Sequence, residues 1–241
     1  MPSIFDSDAF TDALFFPRRD ATPPPAGASD ALIGGVHVRR YAGPERCSLL
    51  LFHGNGEVVA DYDGAAARFA AAGVRLIVAD YRGYGRSTGT PSLRGVIEDA
   101  RPIADSCAGP LVVMGRSLGA AAAHELYARP TAGMIAVVLE SAYSDIGGLI
   151  RRRGLVPPPL SPDERATFDP LAKLPLGRLP LLILHGQRDE LIVPAEAEAA
   201  LAAAGSADKT LTFVAGRGHN DISGSADYWR ALAQFVAALA E

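Results

Sequence analysis

Cysteine is scarce in this chain: Cys47 and Cys107 are the only two among 241 residues. They form no C-x-x-C pair and no metal-ligand spacing, which excludes a disulfide framework and leaves at most one bridge between them. Positive charge is also in short supply, with 23 Lys and Arg against 27 Asp and Glu for a net charge of -4. Nucleic acid is therefore not the expected partner, because phosphate binding needs a basic surface. The only basic run is Arg151-Arg152-Arg153. It reads first as a solvated face, and second as an attractor for an anionic head group such as that of a coenzyme A thioester. No apolar stretch approaches the roughly 18 residues that span a bilayer. Met1 to Asp20 has acids but neither a basic n-region nor a long apolar h-region, so no signal peptide is expected and the expected location is cytoplasmic.

What is present is enough apolar material, 49% of the chain, for one sizeable core. Residues 1–31 include Pro23-Pro24-Pro25 and read as an N-terminal leader with at most one short helix. Regular structure is expected from Leu32, where residues 32–41 alternate loosely as one or two edge strands. From Ser48 a rhythm sets in. Apolar runs at 48–53, 74–79, 111–114, 134–139, 181–184 and 210–214 alternate with helical stretches near 58–72, 91–107, 120–129, 194–204 and 227–240. Pro102 should kink or shorten the second of these helices. Continuous apolar strands alternating with helices predict a mostly parallel sheet with helices on both faces, here a single doubly wound α/β domain over 32–241. The stretch 141–176 breaks the rhythm with Pro157-Pro158-Pro159, Pro162 and the three arginines. It is too long for a plain crossover loop, and a small cap insertion over the active site is expected there.

The chemistry centres on Leu111 to Ala122, an apolar strand followed by Gly115-Arg116-Ser117-Leu118-Gly119 and an alanine-rich stretch. Strand, G-x-S-x-G turn and helix together make a nucleophile elbow, and Ser117 is its candidate nucleophile. The pattern occurs twice, since Gly85-Arg86-Ser87-Thr88-Gly89 also matches. No strand runs into Ser87 and Gly89-Thr90-Pro91 prevents a helix from leaving it, so Ser87 reads as a turn residue. Gly83, Gly85 and Gly89 are spaced one residue too long for a dinucleotide fingerprint. A serine needs a base oriented by a carboxylate, and in this arrangement the acid and then the histidine follow the serine. Of five histidines, His37 and His53 come too early, His124 lies on the helix after the elbow and His185 precedes the preferred acid. His219 remains, in the glycine-rich loop Gly216 to Asp221. Asp189 is the preferred acid, with Glu140 at the end of an earlier strand as its rival. The backbone N–H groups of Leu118 and Asn55 are the candidate oxyanion hole, Asn55 lying in the flexible loop His53-Gly54-Asn55-Gly56-Glu57. Glu57 reads as a surface carboxylate, with a pocket wall as the alternative.

Five motifs in this order resemble the α/β-hydrolase superfamily, and within it the Bem46-like and ABHD13/ABHD17-like serine hydrolases. They are Phe52 to Gly56, Asp80 to Ser87, Gly115 to Gly119, His185 to Asp189 and Gly218 to Asn220. The resemblance implies an α/β-hydrolase fold with Ser117, Asp189 and His219 as the triad and Asn55 and Leu118 as the oxyanion hole. It also implies that Asp80 to Ser87 is structural, with Arg82 and Tyr84 holding loops near the site. The activity expected is hydrolysis of a small carboxylic ester or thioester through an acyl-serine, without metal or organic cofactor. A peptidase or amidase on the same triad is the alternative, and a ligand-binding relative without catalysis is the reading from another class. Oligomeric state is not legible.

Overall fold

The apolar runs become strands because the sheet they form is covered on both sides. A computed structural model describes residues 3–239, with strands β1 Ser29–Ile33, β2 Val36–Arg40, β3 Ser48–Phe52, β4 Arg75–Ala79, β5 Leu111–Arg116, β6 Met134–Glu140, β7 Leu181–Gly186 and β8 Lys209–Val214. They form one sheet in the order β1-β2-β4-β3-β5-β6-β7-β8. The β1–β2 and β2–β4 pairs are antiparallel and all the others parallel. In β3, Leu50 and Phe52 enter one buried cluster while Leu49 and Leu51 enter the other. That two-sided burial is why the run shows no polar alternation. The edge hairpin begins at Ser29, ahead of the expected Leu32, and turns at Gly34-Gly35.

Helices are α1 Asp8–Leu14, α2 Ala66–Ala71, α3 Leu93–Asp105, α4 Ala120–Ala128, α5 Ile146–Arg152, α6 Pro162–Phe168, α7 Pro170–Lys173, α8 Pro194–Ala203 and α9 Ala226–Ala238. Helices α3, α4 and α8 contribute to the first cluster and α2 and α9 to the second. The helix expected over 58–72 is instead a 3-10 turn at Val59–Tyr62 and the short α2. Pro102 does not end α3 early: the helix runs past it to Asp105. So close to the C-terminus the missing N–H of proline costs a single hydrogen bond. The expected end of the last helix, at 240, lies outside the described residues. The two cysteines are free thiols, and no described helix is long and apolar enough to cross a membrane.

Two segments outside the alternating pattern shape the site. Residues 3–28 fold back on the core, with Phe5, Phe10, Leu14 and Phe15 buried and Phe5 stacked on Phe168 of α6 at 4.0 Å. The stretch 141–176 carries α5, α6 and α7. From β3 the chain moves outward to β4 and then crosses back to β5 on the other flank of β3. The carboxyl ends of β3 and β5 therefore border the crevice where strand order reverses, the usual ligand site of such sheets.

Candidate active site

Ser117 immediately follows β5 and has φ +50, in the left-handed region that non-glycine residues rarely occupy. Its glycine neighbours make the turn possible. A Cβ on Gly119 would lie 2.0 Å from the carbonyl oxygen of Phe52, and one on Gly115 would lie 2.6 Å from that of Gly119. The helix that follows, α4, packs against β5 and β6 as the elbow requires. The second G-x-S-x-G is different. Ser87 is fully buried, and its Oγ accepts the backbone N–H of His37 at 2.8 Å. Its hydroxyl is thus part of the tie between the β2 hairpin and this turn.

The three residues expected to act together are brought together at the carboxyl edge of the sheet. His219 Nε2 lies 2.9 Å from Ser117 Oγ, and His219 Nδ1 lies 2.8 Å from Asp189 Oδ2. An imidazole carrying its proton on Nδ1 satisfies both contacts by donating to Asp189 and accepting from the serine hydroxyl. Asp189 Oδ1 accepts the N–H groups of Leu191 and Ile192 at 3.0 and 2.8 Å. Burial alone would raise the Asp189 carboxyl, but the bonds from His219 and Ile192 outweigh it and hold the pKa below the ordinary value. His185, set aside on sequence order, is also drawn in: its Nε2 is 2.8 Å from the Ile192 carbonyl and 3.4 Å from Asp189 Oδ2. Gly186 lets the His219 loop pass, since a Cβ there would meet Gly218 O at 2.5 Å. Backbone bonds from Gln187 and Arg188 to Val214 and Arg217 fasten the two loops.

Glu140, the rival acid, makes its hydrogen bonds elsewhere. It accepts Arg116 Nε at 3.2 Å and the Tyr228 hydroxyl at 2.7 Å, and burial pushes its pKa up against the pull of Arg116. Arg116 is the residue whose importance the sequence did not reveal. Besides Glu140 it pairs with Glu57 at 2.5 Å and donates to Asn220 Oδ1 at 3.0 Å. Glu57 is accordingly neither a free surface acid nor part of the pocket around Ser117. Its other oxygen accepts the Gly54 N–H at 2.8 Å and the Tyr62 hydroxyl at 2.7 Å. Through Arg116 the elbow, the loop after β3 and the loop bearing His219 are joined in one network. Burial opposes the charge on Arg116, yet Glu57 and Glu140 together hold its pKa above the ordinary arginine value.

Asn55 and Leu118 both line the small pocket that contains Ser117, about 20 Å³ in volume. The Asn55 side chain is clamped on three sides. Its Oδ1 accepts the Tyr84 hydroxyl at 2.7 Å and the Phe16 N–H at 3.0 Å, while Nδ2 donates to the Leu14 carbonyl. Tyr84 thus holds the loop as expected, whereas Arg82 pairs with Asp99 of α3 at 2.6 Å and ties its own turn to that helix. His124 is fully buried, and burial lowers its pKa to about 3. The arginine run does not act as one patch, because Arg152 and Arg153 line the Ser117 pocket and Arg151 does not. A larger cavity of about 530 Å³ lies far from this chemistry, between Arg40, Arg75 and Cys107.

A family model described as serine aminopeptidase, S33, matches residues 43–159, a span that includes Ser117 and stops before Asp189 and His219. Protein bem46 of Schizosaccharomyces pombe is 29% identical over 206 residues, covering 80% of this chain and 68% of its own length. An uncharacterized protein of Mycobacterium tuberculosis is 30% identical over 200 residues, covering 78% of this chain and 68% of its own. A solved esterase structure from Pyrococcus furiosus superposes with a TM-score of 0.73 at 15% identity, covering 92% of this chain and 96% of that one, a likeness of fold. Sheet order, elbow and sequence likeness agree: the chain belongs to the α/β-hydrolase superfamily and is a hydrolase of that fold.

Proposed function

We propose that the protein is a serine hydrolase of carboxylic esters or thioesters, acting through an acyl-Ser117 intermediate. The observation that carries the reading is the continuous chain Ser117 Oγ, His219 and Asp189, with contacts of 2.9 and 2.8 Å. Ser117 Oγ attacks the acyl carbon as its proton passes to His219 Nε2, while Asp189 holds the imidazole and offsets the charge it gains. The N–H groups of Leu118 and Asn55 receive the developing oxyanion. The bond from carbon to the leaving oxygen or sulfur then breaks, and His219 returns the proton to that atom. Water repeats the sequence on the acyl-enzyme and releases the acid and free Ser117. Alkoxide and thiolate leave more readily than an amine, which favours esters and thioesters over amides for the same constellation. The 141–176 segment serves as the cap, since α5 contributes Leu149 and Arg152 to the wall of the Ser117 pocket.

The test is labelling of the folded protein with a fluorophosphonate, followed by intact-mass detection and turnover of short chromogenic esters. One adduct on Ser117 is expected. Ser117→Ala should abolish both labelling and turnover, and His219→Ala should be nearly as damaging because the members act as a unit. An unlabelled Ser117, or ester turnover that survives Ser117→Ala, refutes the reading. The likeness to the serine aminopeptidase family supports a second reading, an aminopeptidase. Faster cleavage of aminoacyl amides than of the matched esters would establish it.

A further inference from the structure

We infer that this active site takes acyl substrates carrying an oxyanion, a carboxylate or a phosphate, near the scissile bond, and that Arg153 receives that group. The inference rests on the serine-hydrolase reading and names its substrate class. Three consecutive arginines at the end of α5 meet three different fates. Arg151 is exposed and pairs with Asp145 at 2.8 Å. Arg152 uses Nη1 on Glu196 at 2.7 Å, and its Nη2 is buried without a hydrogen-bond partner. Arg153 has no ion pair among the described residues; its Cζ rests 5.3 Å from the centre of the Phe16 ring, and its Nε is buried without a partner. Both unfilled donors belong to side chains that line the pocket containing Ser117.

A guanidinium in this position is costly unless something completes it, because buried charges are ordinarily paired and buried N–H groups bonded. Burial and the neighbouring Arg152 push the Arg153 pKa below the ordinary arginine value. The rest of the wall is largely apolar, with Leu14, Leu149, Leu191 and Ile192. Among such residues, with Arg152 already paired to Glu196, the cation without an ion pair is an orienting group. A guanidinium presents two parallel N–H donors that match the oxygens of a carboxylate or phosphate. The cation–π contact with Phe16 holds the Arg153 guanidinium without using any of those donors.

Two matched ester pairs test this in the full-length protein. The methylumbelliferyl monoester of adipic acid against methylumbelliferyl hexanoate places a carboxylate on the acyl side. para-Acetoxyphenyl phosphate against para-acetoxyanisole places a phosphate on the leaving group. In the wild type at least one pair should favour the anionic member in kcat/KM by roughly tenfold or more, the effect of a charged hydrogen bond. Arg153→Gln should bring that ratio to about one, chiefly through KM, and Arg153→Lys should keep part of it. The responding pair distinguishes an acyl-side carboxylate from a leaving-group phosphate. No anionic preference in either pair, or a preference that folded Arg153→Gln retains, overturns the inference. Should Arg153→Gln fail to fold, the ratio in the wild type and Arg153→Lys decides: it must fall in the lysine variant and with added salt, and a ratio unmoved by both overturns the inference. Failure of the hydrolase reading looks different, with neutral esters uncleaved and Ser117 unlabelled by fluorophosphonate.

Discussion

Replacing Arg116 with methionine keeps much of the side-chain stem and removes the cation between Glu57 and Glu140. Glu140 is only 3% exposed, and stripping the partner from a buried charge typically costs roughly 3–5 kcal/mol. At about 2–4 °C per kcal/mol for a chain of this size, the melting temperature should fall by roughly 6–20 °C. The loss should depend on pH in a definite direction. Burial already raises the Glu140 pKa, with Arg116 the first influence opposing it. A carboxyl whose folded pKa is raised weakens the fold above its unfolded pKa, and the penalty lifts as pH falls through the folded value. Without Arg116 the folded value climbs further, so the deficit should be largest near pH ~8 and shrink towards pH ~5. Glu140→Gln cannot ionise, and in the double variant it should recover much of the loss and flatten the pH dependence, a non-additivity expected of direct contact. Melting curves of the four proteins across that range are the assay. An Arg116→Met deficit that is the same at every pH and simply adds to that of Glu140→Gln would refute the reasoning.

Other substitutions probe neighbouring parts of the structure. Ser87→Ala should lower stability by about 1–2 kcal/mol, because the buried His37 N–H loses its acceptor, while fluorophosphonate still labels Ser117; loss of labelling would return Ser87 to candidacy. Gly119→Ala places a Cβ 2.0 Å from the Phe52 carbonyl oxygen, and the overpacked elbow should lose at least about 1–3 kcal/mol in urea melts; an unchanged midpoint would contradict the close approach. Asp80 is buried, which alone would raise its pKa, but bonds from His37, His53 and the Val59 N–H hold it at about 2 instead of 3.8. That difference stabilises the fold by about 2 kcal/mol above pH ~4 and is lost as pH falls through about 2. Asp80→Asn should therefore melt lower at neutral pH yet show a shallower acid-side decline.

What could be read without coordinates was whatever the backbone itself demands. The elbow announces itself because a left-handed serine, a crossing strand and a packed helix leave room only for glycine at 115 and 119. Chain order then singled out His219 as the candidate base and left Asp189 and Glu140 as candidate acids. Choosing between Asp189 and Glu140 was a different problem, since both follow apolar strands and both are nearly buried. The difference between them lies in partners distant along the chain: Tyr228 of α9 and Arg116 take up Glu140, while the backbone of Leu191 and Ile192 braces Asp189. Pairings of that kind leave no period in a sequence. The N-terminal stretch was opaque for the same reason, because Phe5, Phe10 and Phe15 are buried at a five-residue spacing that fits neither a helix nor a strand and the clamp on Asn55 joins Leu14 and Phe16 to a loop some forty residues on.

The arginine run shows how far this limit reaches. Arg151, Arg152 and Arg153 are chemically identical, and composition can only say that a basic run is usually solvated. Their roles diverge because of what faces each one: Asp145 in solvent, Glu196 at the base of α8, and an aromatic ring from the N-terminal segment. A surface patch would act on any anion through three roughly equal, screened charges, so neutralising any one arginine would weaken binding to a similar degree. With two of the three already committed to carboxylates, the consequence is unequal. Arg151→Gln should leave the preference for anionic esters nearly intact and Arg153→Gln should remove it. Equal effects at the two positions in kcat/KM ratios would mean that the run acts as a diffuse field after all, and that the pocket-facing geometry of Arg153 has no part in selecting the substrate.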